Sequence, residues 1–142
     1  MIKIVRTKKK HLNGLLVVGK TNWEYKWLNL EYLENTISKR GVHLTAFMDN
    51  KIVGSIMVVE EDYPKFWLYY FVVDKMHQRR GVGTALLKEA EARLPKGTLM
   101  FVDTSRLEKI GLKFYYKNGF KLMGKVKKWF VNTEGIILAK KI

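Results

Sequence analysis

The sequence predicts an α/β (α+β) protein in which a mixed sheet is covered by helices. Two observations lead to this class, and a third bears on the number of domains. The apolar patterns follow one another in the order βααββ, then βαβ, then αββ along the 142 residues. The run from Phe66 to Val73 is apolar on both faces, as expected of a central strand with cover on each side. No repeat or linker divides the chain, so we expect a single domain over residues 1–142.

The first elements are predicted to be a strand and a short helix. Residues 1–6 alternate apolar and basic side chains, which indicates a strand. Leu12, Leu15 and Leu16 recur at helical spacing, and Gly19 is a natural end for that helix.

A second helix is predicted to begin at Thr21. Thr21 and Glu24, three residues later, have the spacing of a capping box. Gly41 is expected to end this helix. The apolar residues at helical spacing between the two ends are Trp23, Trp27, Leu30, Leu33 and Ile37.

A hairpin and a βαβ unit form the middle of the predicted fold. Residues 44–48 and 52–59 read as two strands joined by a tight turn at Asp49-Asn50. The central strand then leads into an amphipathic helix that ends near Leu94 and a short strand over residues 99–102, which we expect to form a right-handed crossover. The buried stripe of that helix is Val82, Leu86, Ala90 and Leu94.

One more helix and two strands complete the chain. The helix ends at Asn118-Gly119 with a left-handed cap. The two strands are expected near residues 120–126 and 136–140. The helix face that should be buried carries Leu107, Ile110 and Phe114.

The composition limits the kinds of partner and chemistry. Twenty-seven Lys and Arg against thirteen Asp and Glu give a net charge of +14, which attracts nucleotide cofactors, nucleic acid, ribosomes or acidic membranes. There is no cysteine to act as a nucleophile, and the three histidines lack the spacing of metal ligands, so we expect no metal. The longest apolar run, residues 66–73, is far shorter than the ~20 residues that cross a bilayer, and we expect a cytoplasmic protein with no membrane partner.

The segment Gln78-Arg79-Arg80-Gly81-Val82-Gly83-Thr84 carries the strongest functional signal. It lies between the central strand and the next helix, where free N–H groups and the positive end of the helix dipole attract anions. The glycines let a ligand approach the backbone, and the two arginines add charge. This arrangement predicts a bound phosphate or pyrophosphate, although a Gly-x-Gly alone also occurs in ordinary tight turns.

Two further motifs stand in register with this segment. Gln78, Gly81 and Gly83 follow the pattern Q/R-x-x-G-x-G/A, and Val73 stands five residues before Gln78. A second glycine-ended helix follows with the sequence Phe114-Tyr115-Tyr116-Lys117-Asn118-Gly119-Phe120. Together these motifs resemble the GNAT superfamily of acyl-CoA-dependent N-acetyltransferases, continuously from residue 66 to residue 120. The closing segment, residues 135–140, resembles the terminal strand of that family.

The resemblance implies the GNAT fold, with a mixed, mostly antiparallel central sheet of six to seven strands flanked by about four helices. It also implies acetyl-CoA as co-substrate and a primary amine as acceptor, which is a protein N-terminus, a lysine or a small amine. The N–H of Val72 is expected to polarise the thioester carbonyl. The residues assigned to acetyl-CoA are Phe71, Val72 and Val73 beside the pantetheine arm and Gln78, Arg79, Arg80, Gly81, Val82, Gly83 and Thr84 around the pyrophosphate.

Two catalytic residues are implied by position. Tyr115, four residues before Gly119, matches the general acid of the family and would protonate the departing thiolate; the alternatives are a core aromatic at this position or a role for Tyr116. Asp103, twelve residues before Tyr115, matches the general base of the branch that acetylates ribosomal-protein N-termini.

The identity of the base stays open between several groups. Asp103 would equally suit a cap for the helix over residues 105–118. Glu60 and Glu61 are reserve candidates, although an acidic run at a strand end is usually a solvated turn. Glu108 occupies the place of an asparagine that many members carry, which departs from the expected contacts with CoA.

Partners other than acetyl-CoA are less defined. Tyr25 and Tyr32 are expected to face the acceptor, whereas core packing suits Trp23 and Trp27. A rival hypothesis is a non-catalytic module on the same fold that binds nucleic acid or ribosomes. Its basis is the set of basic and aromatic residues Lys8, Lys9, Lys10, Lys125, Lys127, Lys128, Trp129 and Phe130. Either a monomer or a homodimer fits the sequence.

Overall fold

The computed structural model describes residues 1–23 and 25–142. Its elements follow the predicted order. The strands are β1 Ile2–Arg6, β2 Gly41–Met48, β3 Lys51–Glu60, β4 Lys65–Val73, β5 Leu99–Ser105, β6 Lys121–Phe130 and β7 Thr133–Lys141. The helices are α1 Leu12–Asn22, α2 Leu30–Ser38, α3 Val82–Arg93 and α4 Lys109–Lys117.

The strands form one seven-stranded sheet in the order β1-β2-β3-β4-β5-β7-β6. Strands β4 and β5 run parallel, and the other neighbouring pairs run antiparallel. The prediction of a mixed, mostly antiparallel sheet flanked by four helices is therefore confirmed. None of the helices in the described ranges is long and apolar enough to cross a bilayer.

Each face of the sheet has its own core. On one face α3 buries Val82, Leu86 and Ala90 against apolar residues of the sheet. On the other face α1 and α2 cover Tyr70 and Val72 of β4. Strand β4 therefore has cover on both sides, as its unbroken apolar sequence indicates.

A bulge in β4 changes which side chains face each core. Between β3 and β4, Val58 pairs with Leu68 but Met57 pairs with Tyr70, so Tyr69 is the extra residue. Leu68 packs in the α3 core, whereas Tyr70 packs in the α1/α2 core. Past the bulge, Phe71 points to the α3 side, where the candidate site lies.

The predicted ends of the first two helices were wrong. Gly19 lies inside α1 and does not end it. A glycine is needed there because a side chain would collide with the buried Tyr70 hydroxyl. Thr21 also belongs to α1, where its hydroxyl donates to the Val18 carbonyl at 2.7 Å, and Glu24 lies outside the described residues. Helix α2 begins later, with Asn29 as its cap, and ends at Ser38, before the predicted stop.

The later elements agree better with the prediction. The turn between β2 and β3 uses positive φ at both Asp49 and Asn50, as expected for a tight hairpin, and Gly119 has φ 92° after α4. The predicted buried face of α4 was wrong in part, because Leu107 and Ile110 are 62% and 84% exposed. Strands β5 and β6 extend beyond the predicted ends, to Ser105 and Phe130.

Candidate active site

The central feature of the site is a gap between β4 and β5. The two strands pair only from Lys65 to Trp67 on β4 and from Leu99 to Phe101 on β5. Beyond Trp67, no described strand pairs with that edge of β4. Backbone N–H and C=O groups at an edge inside a fold need hydrogen-bond partners, so this gap suits an extended ligand that adds to β4 like a strand. We call it the β4/β5 cleft.

The hydrogen-bond register shows which residues of β4 face the cleft. The N–H of Asp74 donates to the Val53 carbonyl of β3 at 2.7 Å. Because successive residues of a strand direct their backbone groups to opposite edges, Val72 also bonds toward β3, and its side chain is buried on the α1/α2 face. Phe71 and Val73 face the cleft instead. The expectation that the Val72 N–H polarises the thioester is corrected on this ground, and the N–H of Phe71 is the donor on the open edge.

The predicted anion-binding segment lies at the far end of the cleft. Gly81 adopts the left-handed conformation, with φ 82°, and α3 begins at the next residue. The N–H groups of residues 82–84 point out of the first helical turn without intrahelical partners. The side chains of Arg79 and Arg80 are exposed beside them. This turn is therefore accessible to an anion.

Asn22, at the end of α1, ties this segment to β4, and sequence reasoning did not identify it. Its amide nitrogen donates to the Val73 carbonyl at 3.2 Å, while its amide oxygen accepts from the Gln78 side chain at 3.0 Å. Gln78 also donates to the Val73 carbonyl, at 3.2 Å. Gln78 therefore acts through side-chain contacts that hold the turn, and an asparagine at a helix end gives no sequence signal for this role.

The two glycines of the turn are expected to respond differently to substitution. A Cβ at Gly81 would meet no neighbour, but the positive φ makes Gly81→Ala destabilising by about 1 kcal/mol. In a chain of this size that lowers the unfolding temperature by about 3 °C. A Cβ at Gly83 would lie 3.6 Å from the Phe114 ring, an ordinary contact, so Gly83→Ala should unfold at the same temperature or higher. Thermal unfolding tests this prediction, and equal losses in both variants would contradict it.

Tyr115 projects from α4 into the aromatic lining of the cleft. Its ring centroid lies 6.4 Å from that of Phe71, 5.7 Å from that of Phe114 and 5.2 Å from that of Phe120. Burial raises the pKa of Tyr115, and the negative charges of Asp103 and Glu108 raise it further. The phenol therefore keeps its proton at neutral pH and is available as a donor. The neighbouring Tyr116 is 48% exposed.

Asp103 lies on β5, and its charge acts on both Tyr32 and Tyr115. Burial raises the pKa of Tyr32 to about 12, and the charge of Asp103 contributes to that rise as it does for Tyr115. One carboxylate oxygen of Asp103 accepts a hydrogen bond from the Trp129 indole N–H at 2.9 Å. Asp103 does not cap α4, because that helix begins at Lys109 with Glu108 in the capping position.

Aromatic residues from the loop before α2 form a wall beside Asp103. The Tyr25 and Trp27 rings stack with centroids 5.4 Å apart, and Trp27 meets Tyr32 edge to face at 4.9 Å. The Tyr32 hydroxyl donates to the carbonyl of the bulged Tyr69 at 2.8 Å. Trp23 packs against Tyr70 as expected of a core residue, but Trp27 is 46% exposed and belongs to the wall.

The reserve carboxylates lie at the end of β3 and are engaged elsewhere. Glu60 forms an ion pair with Arg40 at 3.4 Å, and Glu61 accepts a hydrogen bond from the Tyr69 hydroxyl. Both line a cavity of about 440 Å³ that also includes Trp67. No group of His, Asp and Glu side chains within the described ranges is arranged to hold a metal ion.

Comparisons with known proteins agree with this geometry. No curated protein matches the chain in sequence. In structure the chain is similar to the ribosomal-protein-S18-alanine N-acetyltransferase of Escherichia coli, with a TM-score of 0.86, 17% identity, and coverage of 100% of this chain and 94% of that one. It is also similar to an Arabidopsis thaliana protein in complex with the bisubstrate analogue CoA-Ac-MVNAL (TM-score 0.85, 16% identity, 99% of each chain).

A third similar structure is a GNAT family acetyltransferase from Elizabethkingia anophelis with acetyl-CoA bound, with a TM-score of 0.75, 20% identity, and coverage of 99% of this chain and 98% of that one. At such identities these structures show a shared fold. The family assignment comes from the sequence model of the acetyltransferase (GNAT) family, which matches residues 15–120, well over half of the chain. The chain therefore belongs to the GNAT family of acetyltransferases.

Proposed function

We propose that this protein transfers an acetyl group directly from acetyl-CoA to a primary amine, which is a protein N-terminus, a lysine side chain or a small amine. One observation carries the proposal. The β4/β5 cleft runs from the anion-accepting turn of α3 toward Tyr115, whose ring lies 6.4 Å from that of Phe71 and whose pKa is raised in part by the charge of Asp103 on β5. A cofactor that is anionic at one end, amide-rich in the middle and reactive at the other end fits that path.

The described residues suit each part of acetyl-CoA. The N–H groups of residues 82–84 and the positive end of α3 suit the pyrophosphate, with Arg79 and Arg80 adding charge. The backbone of Phe71 and the N–H of Val73 suit the amides of the pantetheine arm, which would pair with them as an added strand, whereas the Val73 carbonyl is already engaged by Asn22 and Gln78. The N–H of Phe71 then supplies a donor to the thioester carbonyl as negative charge develops there.

The two catalytic groups perform opposite proton transfers. Alkylamines are largely protonated at neutral pH, so the acceptor must lose a proton before its nitrogen can attack. Asp103 accepts that proton through water, the new C–N bond forms, and the C–S bond breaks. The Tyr115 hydroxyl donates to the departing sulfur and is reprotonated from solvent. A covalent acyl-cysteine is excluded because the chain has no cysteine.

Two of the similar structures support an amine of a protein as the first acceptor to test. One is named for acting on the alanine of a ribosomal protein, and the other holds an analogue that joins CoA to the sequence MVNAL. In this chain the charge of Asp103 acts on Tyr32 of the aromatic wall, so an acceptor that contacts this wall would lie near the proposed base.

The experiment is an acceptor panel with a cofactor-binding control. Purified protein is mixed with acetyl-CoA and with peptides that offer only a free N-terminus or only a free lysine, or with polyamines, and release of free CoA is followed. We expect release that requires both substrates, and CoA at micromolar concentration should raise the unfolding temperature. Absence of stabilisation by CoA, with retention of RNA that weakens steeply with salt, would favour the rival nucleic-acid-binding function.

A further inference from the structure

We propose that Trp129 is a positioning residue that orients the carboxylate of Asp103 for proton abstraction. The inference rests on the proposed function, in which Asp103 is the general base. Three observations carry it: the indole–carboxylate hydrogen bond, the path by which the indole reaches β5, and the glycine that opens this path.

The hydrogen bond joins residues from strands that are not neighbours. The indole nitrogen of Trp129 lies 2.9 Å from an oxygen of Asp103, although β7 separates β6 from β5 in the sheet. The pairing of β6 with β7 is irregular between Val126 and Phe130, and Lys128 has φ 56° within this stretch. This irregularity turns the Trp129 side chain across β7 instead of leaving it in the regular alternation of an edge strand.

Gly135 makes room for the indole on β7. A Cβ at Gly135 would collide with Cβ and the ring of Trp129, so the indole lies directly against the glycine backbone. Gly135 pairs with Ser105 of β5, and Ile137, two residues further along β7, pairs with Asp103. Gly135 and Asp103 therefore share one face of the sheet. The contact depends on a glycine at this position, and no pattern in the sequence reveals it.

The contact has a direct chemical consequence. A hydrogen bond from an N–H to a carboxylate is charge-assisted and directional, so it fixes the orientation of the Asp103 side chain. It also engages one oxygen and leaves the other for the acceptor or a bridging water. The charge of Asp103 acts on Tyr32 of α2 and on Tyr115 of α4, and the charge of Glu108 at the start of α4 also acts on Tyr115. Burial raises the pKa of both tyrosines, so both stay uncharged at neutral pH.

The test is Trp129→Phe, which keeps an aromatic ring over Gly135 and removes the N–H. We expect kcat to fall about tenfold, because the hydrogen bond that fixes the carboxylate is lost. The KM for acetyl-CoA should not change. Phe130→Leu, at the adjacent and partly exposed position, is the matched control and should keep the original kcat. An unchanged kcat in Trp129→Phe would overturn the proposal.

Two further measurements separate this proposal from the proposed function. In an Asp103→Asn background, Trp129→Phe should cause no further loss; an equal loss in both backgrounds would overturn the positioning role. The indole N–H resonance of Trp129, assigned by its disappearance in Trp129→Phe, should move in Asp103→Asn whatever the activity. A resonance that does not move would overturn the contact, whereas a moved resonance with full activity would overturn the assignment of Asp103 as the base.

Gly135→Ala provides a second route to the same effect. The added methyl group would displace the indole without altering its chemistry. We expect the same fall in kcat as in Trp129→Phe, in protein that remains folded by circular dichroism. A folded Gly135→Ala variant with the original kcat would contradict the proposed path of the indole.

Discussion

Replacing Tyr115 with phenylalanine is expected to lower kcat about 100-fold or more, because a positioned proton donor typically contributes that factor. The Kd for acetyl-CoA should stay the same, since the aromatic ring, with its contacts to Phe71, Phe114 and Phe120, is retained. The two quantities are measured by initial rates at saturating substrates and by calorimetry. A large change in Kd with an unchanged kcat would assign Tyr115 to binding instead.

Tyr116→Phe is the matched control for this experiment. It removes the same hydroxyl from the next residue of α4, whose side chain is 48% exposed. We expect it to keep the original kcat, because an exposed phenol on the outer side of the helix does not reach the cleft. If Tyr116→Phe were the slower variant, the role of proton donor would belong to Tyr116 and not to Tyr115.

The raised pKa of Tyr115 also predicts the pH profile of the variant. Burial and the charges of Asp103 and Glu108 disfavour the phenolate, so the hydroxyl remains protonated well beyond the usual value near 10. Tyr115 therefore causes no limb of the profile between about pH 6 and about pH 9.5. The Tyr115→Phe profile should have the same shape as the original at a lower level throughout that range.

Local chemistry in the sequence was sufficient to predict the central strand and the turn that follows it. A run that is apolar on both faces must be covered on both faces, and β4 is. Gly81 needs a positive φ that other residues adopt poorly, and the structure has it there. Where residue chemistry dictates conformation within a few positions, sequence and structure agree.

The errors of the sequence-based prediction arise where contacts between residues far apart in the chain determine the conformation. Gly19 resembles a helix end, yet it lies inside α1 where Tyr70, more than fifty positions away in the chain, leaves no room for a side chain. The bulge at Tyr69 has no sequence signal, and it determines that Phe71 rather than Val72 faces the cleft. The Asn22 and Trp129 hydrogen bonds likewise depend on how separate elements meet.

Replacing Asp103 with asparagine is expected to lower kcat about 100-fold near neutral pH, and the deficit should shrink as the pH rises. Asparagine retains the shape of the side chain and an acceptor for the Trp129 N–H, but it cannot take a proton. The variant must therefore wait for the small fraction of acceptor that is already neutral. For a lysine-like amine this fraction grows about tenfold per pH unit up to its pKa near 10.4, whereas for a protein N-terminus it levels off near pH 8. The measurement is kcat from about pH 6 to about pH 9.5 with peptides of each kind.

Glu61→Gln and Glu108→Gln are the controls that decide which carboxylate accepts the proton. Glu61 is engaged with Tyr69 at the end of β3, and Glu108 affects Tyr25 and Tyr115 through its charge. Because Asp103 is the one of these three carboxylates whose charge acts on both Tyr32 and Tyr115, we expect both variants to keep the original dependence of kcat on pH. A rate that rises tenfold per pH unit in one of them, together with a flat profile in Asp103→Asn, would transfer the role of base to that glutamate. The variant that lacks the true base depends on acceptor amine that is already neutral, so its rate rises with pH. The shape of the pH profile therefore identifies the base, whatever the size of the rate loss in each variant.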